Sequence, residues 1–469
     1  MFTGTDKIHE ECAVFGTSVR ASEAAGITYN ALLALQHRGQ EGCGIAASID
    51  NTIHCIKDRG LVGEVFSGEV LNSLPASTAA IGHCRYSTTG VNSVCNVQPF
   101  VTEYLTGRIA TAHNGNITNA RDLRDGLKSF GAHFDATSDS EVMSTLIALY
   151  AVRENDVRAG VIKAANYLRG AFSVVVLCGD GRLIAFRDPD GFRPLCIGRN
   201  RLGVAVASES CALDSCGFVF ERDIAPGEVV VIENGEVTSS EVVLKNRTPG
   251  NGFCIFEYVY FSRPDSVVDG LPVYDARFNM GLRLASEHPV EADIVCGVPD
   301  SGLEAAAGFS AGSGIPLVQG FVKNRYIGRS FIYPSQMQRE NAVRLKLNPL
   351  KSNLAGKRVV LVDDSIVRGT TCAKIVRTLK SAGAKEVHFR ISSPPFKHTC
   401  HYGTDIDSEN NLIANRLSVD GICREIGADS LGYISVEGLK AACGRCNLDF
   451  CVKCFAGGET LSNQKNDLE

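Results

Sequence analysis

One thirteen-residue string constrains this chain more than any other: Val359-Val-Leu-Val-Asp363-Asp364-Ser365-Ile-Val-Arg368-Gly369-Thr370-Thr371. Its apolar, valine-rich start reads as a buried strand. That strand delivers two adjacent carboxylates to a loop, which then offers Ser, Gly, Thr and Thr. A helix follows, with Cys372, Ile375, Val376 and Leu379 on one stripe and a stop near Gly383. Asp293–Val298 is a second apolar strand running into a polar loop. Strand, polar loop and helix in this order are the grammar of a parallel α/β sheet, whose ligands sit beyond the carboxyl ends of the strands. A helix N-terminus with unsatisfied N–H groups and hydroxyls seats a phosphate. The string is not a Walker loop, because Gly-x-x-x-x-Gly-Lys is absent from it. Carboxylates repel phosphate, so Asp363 and Asp364 need another role: hydrogen bonds to neutral ribose hydroxyls, or a hold on a divalent ion bridging to them. A sugar with a 5-phosphate and vicinal hydroxyls satisfies both halves of the loop.

The first half of the chain is different. Phe172–Leu177 and Val229–Ile232 are short strand candidates, and Ser138-Asp139-Ser140-Glu141 is a capping-box pattern before a helix bearing Val142, Leu146, Leu149 and Tyr150. The breaker cluster Thr248-Pro-Gly-Asn-Gly252 places a domain boundary nearby. At 469 residues the chain is long enough for two or three domains. A net charge of −5 and a pI near 6.1 argue against a protein built to coat nucleic acid or an anionic membrane. No apolar run approaches the roughly 20 residues that span a bilayer. The first residues carry acids where a signal peptide needs an apolar stretch, so the expected location is the cytoplasm.

Eighteen cysteines are the compositional outlier. In a reducing compartment they are free thiols, metal ligands or nucleophiles. Cys443-x-x-Cys446 and Cys451-x-x-Cys454 leave a four-thiolate zinc site and an iron–sulfur cluster both open, with a compact ribbon using all four as the simplest arrangement. Cys12-Ala-Val-Phe, taken alone, is an ordinary buried strand.

The Val359–Thr371 string resembles the phosphoribosyl diphosphate loop of type I phosphoribosyltransferases. Together with Gly297-Val-Pro-Asp-Ser301-Gly and Lys323-Asn-Arg-Tyr-Ile-Gly-Arg-Ser-Phe, it is similar to the glutamine phosphoribosyldiphosphate (PRPP) amidotransferase family, which opens purine synthesis. Ordered short motifs extend that resemblance to the N-terminal half. They are Cys12-Ala-Val-Phe-Gly, Leu35-Gln-His37-Arg38-Gly-Gln-Glu41, His83-Cys-Arg85-Tyr-Ser-Thr-Thr, His113-Asn114-Gly115-Asn116 and Ser138-Asp139-Ser-Glu. They resemble the glutaminase domain of N-terminal-nucleophile amidotransferases.

The resemblance implies an α/β chain: an αββα N-terminal-nucleophile hydrolase sandwich over residues 12–245, then a parallel α/β phosphoribosyltransferase domain over 246–469. Residues 1–11 would be a propeptide. It further implies Cys12 as nucleophile and Asn114 with the Gly115 N–H as oxyanion hole. Arg85 would meet the glutamine α-carboxylate and Asp139 the α-ammonium. Asp363, Asp364, Ser365, Arg368, Gly369, Thr370 and Thr371 would bind the sugar phosphate. Mg²⁺ would lie near Ser301, Asp363 and Asp364, and the Lys323–Arg339 stretch would close over the diphosphate. One branch of the family carries a [4Fe–4S] cluster, whose ligand motifs match Cys254, Cys400, Cys451 and Cys454, with Cys443 and Cys446 extra to the pattern. The family also implies a homotetramer and feedback by purine nucleotides.

Removal of a leader makes chemical sense. A thiol near pKa 8.5 needs a base, and a free α-amine titrates at about 7.7–8.0, so one residue can supply both. While Glu11 is joined to Cys12 that nitrogen is an amide. Two alternatives share part of the pattern. Glucosamine-6-phosphate synthase has the glutaminase half but no use for Val359–Thr371. A non-catalytic PRPP-binding regulator would keep that loop but not Cys12 with Arg85, Asn114 and Asp139.

Overall fold

The computed structural model describes residues 12–86, 93–324, 347–406, 408–444 and 446–457. Met1–Glu11, Ser87–Thr89, Arg325–Arg339 and Gly458–Glu469 lie outside them.

Alternating side chains sort the first half into four layers. On the strand Ala13–Val19, Ala13 and Phe15 turn outward beneath the helices Ala24–Leu35 and Ser210–Ser215, while Val14 turns inward between two sheets. On Gly170–Cys178, Phe172, Val174 and Val176 lie against Asp139–Arg153 and Val157–Ala165, and Val175 and Leu177 face the inner layer. Both faces are therefore apolar, as a central strand of a covered sheet requires. The seven-stranded sheet runs Val219–Asp223, Cys196–Arg199, Gly203–Ala207, Ala13–Val19, Ala79–Arg85, Gly42–Ile49, Thr52–Arg59. The six-stranded sheet runs Glu236–Val242, Glu228–Glu233, Leu183–Arg187, Gly170–Cys178, Gly107–Ile117, Phe100–Tyr104. The arrangement is the expected αββα sandwich.

Beyond it lies a four-stranded parallel sheet in the order Ile294–Gly297, Arg358–Asp363, Glu386–Ile391, Ser430–Tyr433. Val295, Val360 and Val362 pack under the helices Val273–Glu287 and Leu303–Ser313. Cys296, Val359 and Leu361 pack under Thr370–Ser381 and Val419–Ile426. This is the parallel α/β unit expected from the strand–loop–helix grammar, and all four stripe residues of Thr370–Ser381 are buried.

Two local expectations need correction. Ser138 does cap Asp139–Arg153, accepting from Ser140 N at 3.2 Å, but the capping box does not close. Asn96 Oδ1 takes the Ser138 N–H at 3.1 Å, so Glu141 turns to the Asp135 and Ala136 N–H groups at 2.9 and 3.0 Å. Phe172–Leu177 is the centre of a longer strand because its flanks remain paired with Gly107–Ile117. Among the described residues no helix is long and apolar enough to cross a membrane.

Phe15 fills the space between sheet and outer helix with no exposure. Phe15→Ala is expected to cost about 3–5 kcal/mol, read as a lower thermal midpoint with secondary structure retained below it.

Candidate active sites

Cys12 enters the strand Ala13–Val19 at the edge where Ala13 pairs with Cys84, which sets it beside Arg85 at the end of the neighbouring strand. Its Sγ points to Tyr86 O at 3.4 Å, and its carbonyl accepts from Arg38 Nε at 3.2 Å. Ser208 and Val14 bond reciprocally at 2.9 and 3.0 Å and fix the strand just inside the cysteine.

Asn114 and Gly115 are not a hairpin turn, the common fate of Asn-Gly; they lie within the strand Gly107–Ile117 of the opposite sheet. Asn114 is buried, and among the described residues its Nδ2 has no hydrogen-bond partner. A desolvated donor without an acceptor is costly unless a ligand supplies one. Gly115 has φ +141°, and a Cβ there would lie 2.1 Å from Ala171 O, so glycine is required. Two buried histidines brace this strand. Burial pushes His83 down to about 3 and lowers His113, leaving both neutral. His83 Nε2–H donates to His113 O at 3.1 Å, and Gln98 clamps the same residue through its N–H at 2.7 Å and its O at 3.1 Å.

Arg85 is buried rather than a surface cation, with Nη1 donating to Asn96 O at 3.3 Å. Asp139 is nearly buried at the first turn of its helix, accepting from Ile117 N at 2.9 Å and from the hydroxyls of Ser138 and Ser140 at 3.3 Å. Asn96 joins the two: its carbonyl meets Arg85, and its Oδ1 accepts from Thr137 N at 2.9 Å and from Ser138 N. Nothing in the sequence around Asn96 announces this role.

In the second unit, Gly297 pairs with Val362 and Val298 N donates to Val362 O at 2.8 Å, so the loops leaving these two strands run side by side. That brings Ser301 to Asp364, whose carboxylate accepts from the hydroxyls of both Ser301 and Ser365. Asp363 and Asp364 are buried, and Asp364 N donates back to Asp363 Oδ1 at 3.0 Å. Gly369 adopts φ +86° and Thr370 and Thr371 open the helix Thr370–Ser381; Leu303–Ser313 begins just after Ser301. Two helix N-termini therefore flank one acidic loop, which suits a ligand with anionic ends and a neutral middle. Arg368 is half-buried on the loop, and Lys323 pairs with Asp300.

A third feature lies between the units. Phe253–Cys254 and Phe450–Cys451 form a two-stranded parallel pair with Cys254 opposite Cys451. Cys254, Cys400, Cys451 and Cys454 all line one cavity of about 310 Å³, closed by Phe192, Phe256 and Tyr402. Tyr402 N donates to Cys400 Sγ at 3.3 Å. The ribbon of Cys443, Cys446, Cys451 and Cys454 is not formed. Cys443 is in the core beside Cys446, whose thiol faces Tyr258, and neither lines the cavity. The intervening Asn447–Asp449 turn instead docks on Asp269 and Gly252. Among the described residues, no three His, Cys, Asp or Glu side chains close to the spacing of a single metal ion.

The units meet through buried charge that motif reading did not weigh. Arg38 Nη1 and Nη2 grip Glu257 at 2.9 and 2.7 Å, and Nη1 also reaches Glu209 at 2.8 Å. Arg193 pairs with Glu257 at 3.4 Å and donates to Tyr402 O at 2.8 Å. Gly403 packs so tightly that a Cβ would sit 3.3 Å from the Gly115 carbonyl carbon, and Asn116 Nδ2 donates to His401 O at 2.9 Å. Arg38 stands inside a quoted motif and Glu257 three residues after the candidate ligand Cys254, so position was legible there but partnership was not.

Residues 83–215 match a glutamine amidotransferase domain family and residues 282–393 a phosphoribosyl transferase domain family. The amidophosphoribosyltransferase of Synechocystis sp. is 48% identical, with 96% of this chain and 91% of that protein covered. The solved structure of glutamine phosphoribosylpyrophosphate amidotransferase from B. subtilis, complexed with ADP and GMP, superposes with a TM-score of 0.87 at 42% identity, covering 97% of this chain and 99% of that one. A second solved structure, the allosteric regulatory enzyme of purine biosynthesis, gives 0.88 at 42% identity over 96% and 97% of the two chains. A glutaminase-type sandwich, an acidic phosphoribosyl loop and relatives matched along nearly their whole length lead to one conclusion: the chain belongs to the amidophosphoribosyltransferases, which make 5-phosphoribosylamine, glutamate and diphosphate from PRPP, glutamine and water as the first committed step of purine synthesis.

Proposed function

We propose that residues 12–245 are the glutaminase and residues 246–469 the phosphoribosyltransferase, working on glutamine and PRPP in turn. The orphaned, buried Asn114 Nδ2 beside a glycine-only strand position carries the first assignment. Cys12 Sγ attacks the glutamine side-chain carbonyl, and Asn114 Nδ2 with the Gly115 N–H receives the oxyanion. Collapse breaks the C–N bond and releases ammonia; water then hydrolyses the thioester to glutamate. Arg85 and Asp139 hold the substrate's α-carboxylate and α-ammonium, and Asn96 keeps the two clamps in register. The Cys12 α-amine takes the thiol proton and delivers it to the departing nitrogen, which leaves as ammonia; this requires that Met1–Glu11 be removed.

At the second site, the ammonia lone pair displaces diphosphate at C1 of the ribose. Ser365, Gly369, Thr370 and Thr371 seat the 5-phosphate at the helix N-terminus, while Asp363 and Asp364 hold the ribose hydroxyls. Arg368 adds positive charge beside them. The oxygens of Ser301, Asp363 and Asp364 suit Mg²⁺, which takes few protein ligands and keeps water or substrate oxygens for the rest. Bound Mg²⁺ supplies neutralisation of diphosphate charge. Since ammonium, with pKa about 9, is not nucleophilic, free ammonia passes between sites away from water.

The donor set and register of Cys254, Cys400, Cys451 and Cys454 fit a [4Fe–4S] cluster better than zinc. Four thiols around a cavity wider than one ion, with an N–H aimed at Cys400 Sγ, suit a cluster that spreads its ligands apart. Its role is structural or oxygen-sensing. None of the eighteen cysteines is joined in a disulfide, which supports a reducing, cytoplasmic setting. The B. subtilis relative's structure with ADP and GMP supports purine-nucleotide feedback, and a homotetramer completes the reading.

Four outcomes test it. Asn114→Ala should lower glutamine-dependent turnover by about 10²–10³-fold while ammonia-dependent product formation persists, measured as diphosphate release. Asp364→Asn should abolish diphosphate release with either nitrogen source yet leave glutamine hydrolysis measurable. Cys400→Ala should remove iron and acid-labile sulfide, roughly four of each per chain in the parent; stoichiometric zinc instead would end the cluster assignment. Mass spectrometry of active protein beginning at Met1 or Phe2 would overturn the propeptide.

A further inference from the structure

Glu257 belongs to the phosphoribosyltransferase side of the chain, yet its carboxylate is committed to the neighbourhood of Cys12. Oε1 and Oε2 accept from Arg38 Nη2 and Nη1 at 2.7 and 2.9 Å, a bidentate pair with both side chains free of solvent. The remaining direction of that guanidinium is the useful one: Nε donates to the Cys12 carbonyl at 3.2 Å. A planar fork gripped along one edge has its other donors aimed by that grip.

Glu257 is itself immobilised. Ser262 Oγ donates to its Oε2 at 2.9 Å, and Arg193 approaches at 3.4 Å. It opens the single π-helical turn Glu257–Phe261, a rare geometry often found at functional positions. Buried Arg277, on the helix Val273–Glu287, donates to the carbonyls of Tyr258, Tyr260 and Ser262 at 2.8, 3.0 and 2.7 Å and pins that turn in place. Glu209 adds a further contact to the same guanidinium, at Nη1, 2.8 Å away, whereas Glu257 takes both terminal nitrogens.

We propose that Glu257 is a positioning residue of the glutaminase centre, lent by the phosphoribosyltransferase domain: it orients Arg38, which fixes the Cys12 carbonyl and with it the α-amine and Sγ. This rests on Cys12 being the nucleophile. The glutaminase centre is then complete only when the two domains are docked, so ammonia is made efficiently only where its acceptor site stands beside it.

The test is Glu257→Gln in the full-length, processed enzyme, with Cys12→Ala and wild type alongside. Gln keeps the shape and one acceptor but loses the charge and half of the bidentate grip. Expected is a drop of about 10-fold or more in kcat for glutamine hydrolysis, with KM for glutamine little changed because Arg85 and Asp139 are untouched. The alkylation rate of Cys12 by iodoacetamide should fall with kcat. Ammonia-dependent diphosphate release should stay near wild type, which separates misplacement of the nucleophile from loss of fold. Glu257→Asp, which keeps the charge on a shorter arm, should recover part of the loss. Should Glu257→Gln not fold, Arg38→Lys, which cannot form the fork, must show the same split. Hydrolysis and alkylation at wild-type rates in Glu257→Gln, or a matching fall in ammonia-dependent activity in both variants, overturns the proposal. If Cys12→Ala still hydrolyses glutamine, the nucleophile assignment itself fails.

Discussion

Four buried charges hold this molecule together where its two chemistries meet. Arg38 and Glu209 come from the sandwich, Arg193 from a loop beside it and Glu257 from the far side; none of the four side chains is exposed. Two guanidiniums and two carboxylates sum to no net charge, the condition under which such a group survives away from water. A buried pair is not stabilising in itself, because desolvation offsets much of the attraction. Removing one partner is another matter, and leaves an uncompensated charge worth about 3–5 kcal/mol. The cluster therefore selects one docking geometry rather than adding net stability. Arg187 repeats the device nearby, gripping Asp269 at 2.9 and 2.8 Å.

That geometry matters because each proposed reactive centre is assembled from parts far apart in sequence. Cys12, Arg85, Asn114 and Asp139 come from two sheets and a helix, drawn together by sandwich packing and by polar brackets such as Asn96 and Gln98. The phosphoribosyl loop is simpler. Parallel pairing of Ile294–Gly297 with Arg358–Asp363 sets two loop-to-helix turns side by side, and Ser301 meets Asp364 as a consequence. The cysteine-lined cavity stands beside the sandwich, its loop touching both Arg193 and the Gly115 backbone. Whatever occupies that cavity adjoins the strand Gly107–Ile117 through backbone contact at Gly115.

The sequence made local chemistry readable and long-range partnership unreadable. Val359–Thr371 announced strand, acidic loop and helix because those depend on neighbours within a few residues. The ordered motifs around Cys12 worked for a different reason, as a resemblance rather than a deduction. Spacing misled where tertiary structure decided: Cys443-x-x-Cys446 looked like half of a ribbon, yet Cys443 is in the core and Cys446 is partly buried against it. Glu141 had the right offset for a capping box, but Asn96 had already taken the N–H it would have met. Glu257 stood in plain view three residues after Cys254, and only the fold shows that it reaches Arg38, 219 residues away.

The central claim is that one chain makes ammonia at Cys12 and consumes it at the Asp363–Asp364 loop. Its most direct test is diphosphate release from PRPP by the Cys12→Ala enzyme, supplied first with glutamine and then with ammonium salt at alkaline pH. The account predicts no release above background with glutamine and near-parental release with ammonia. Glutamine-driven release that survives loss of the thiol would contradict it. So would an otherwise folded protein that leaves PRPP untouched with either nitrogen source.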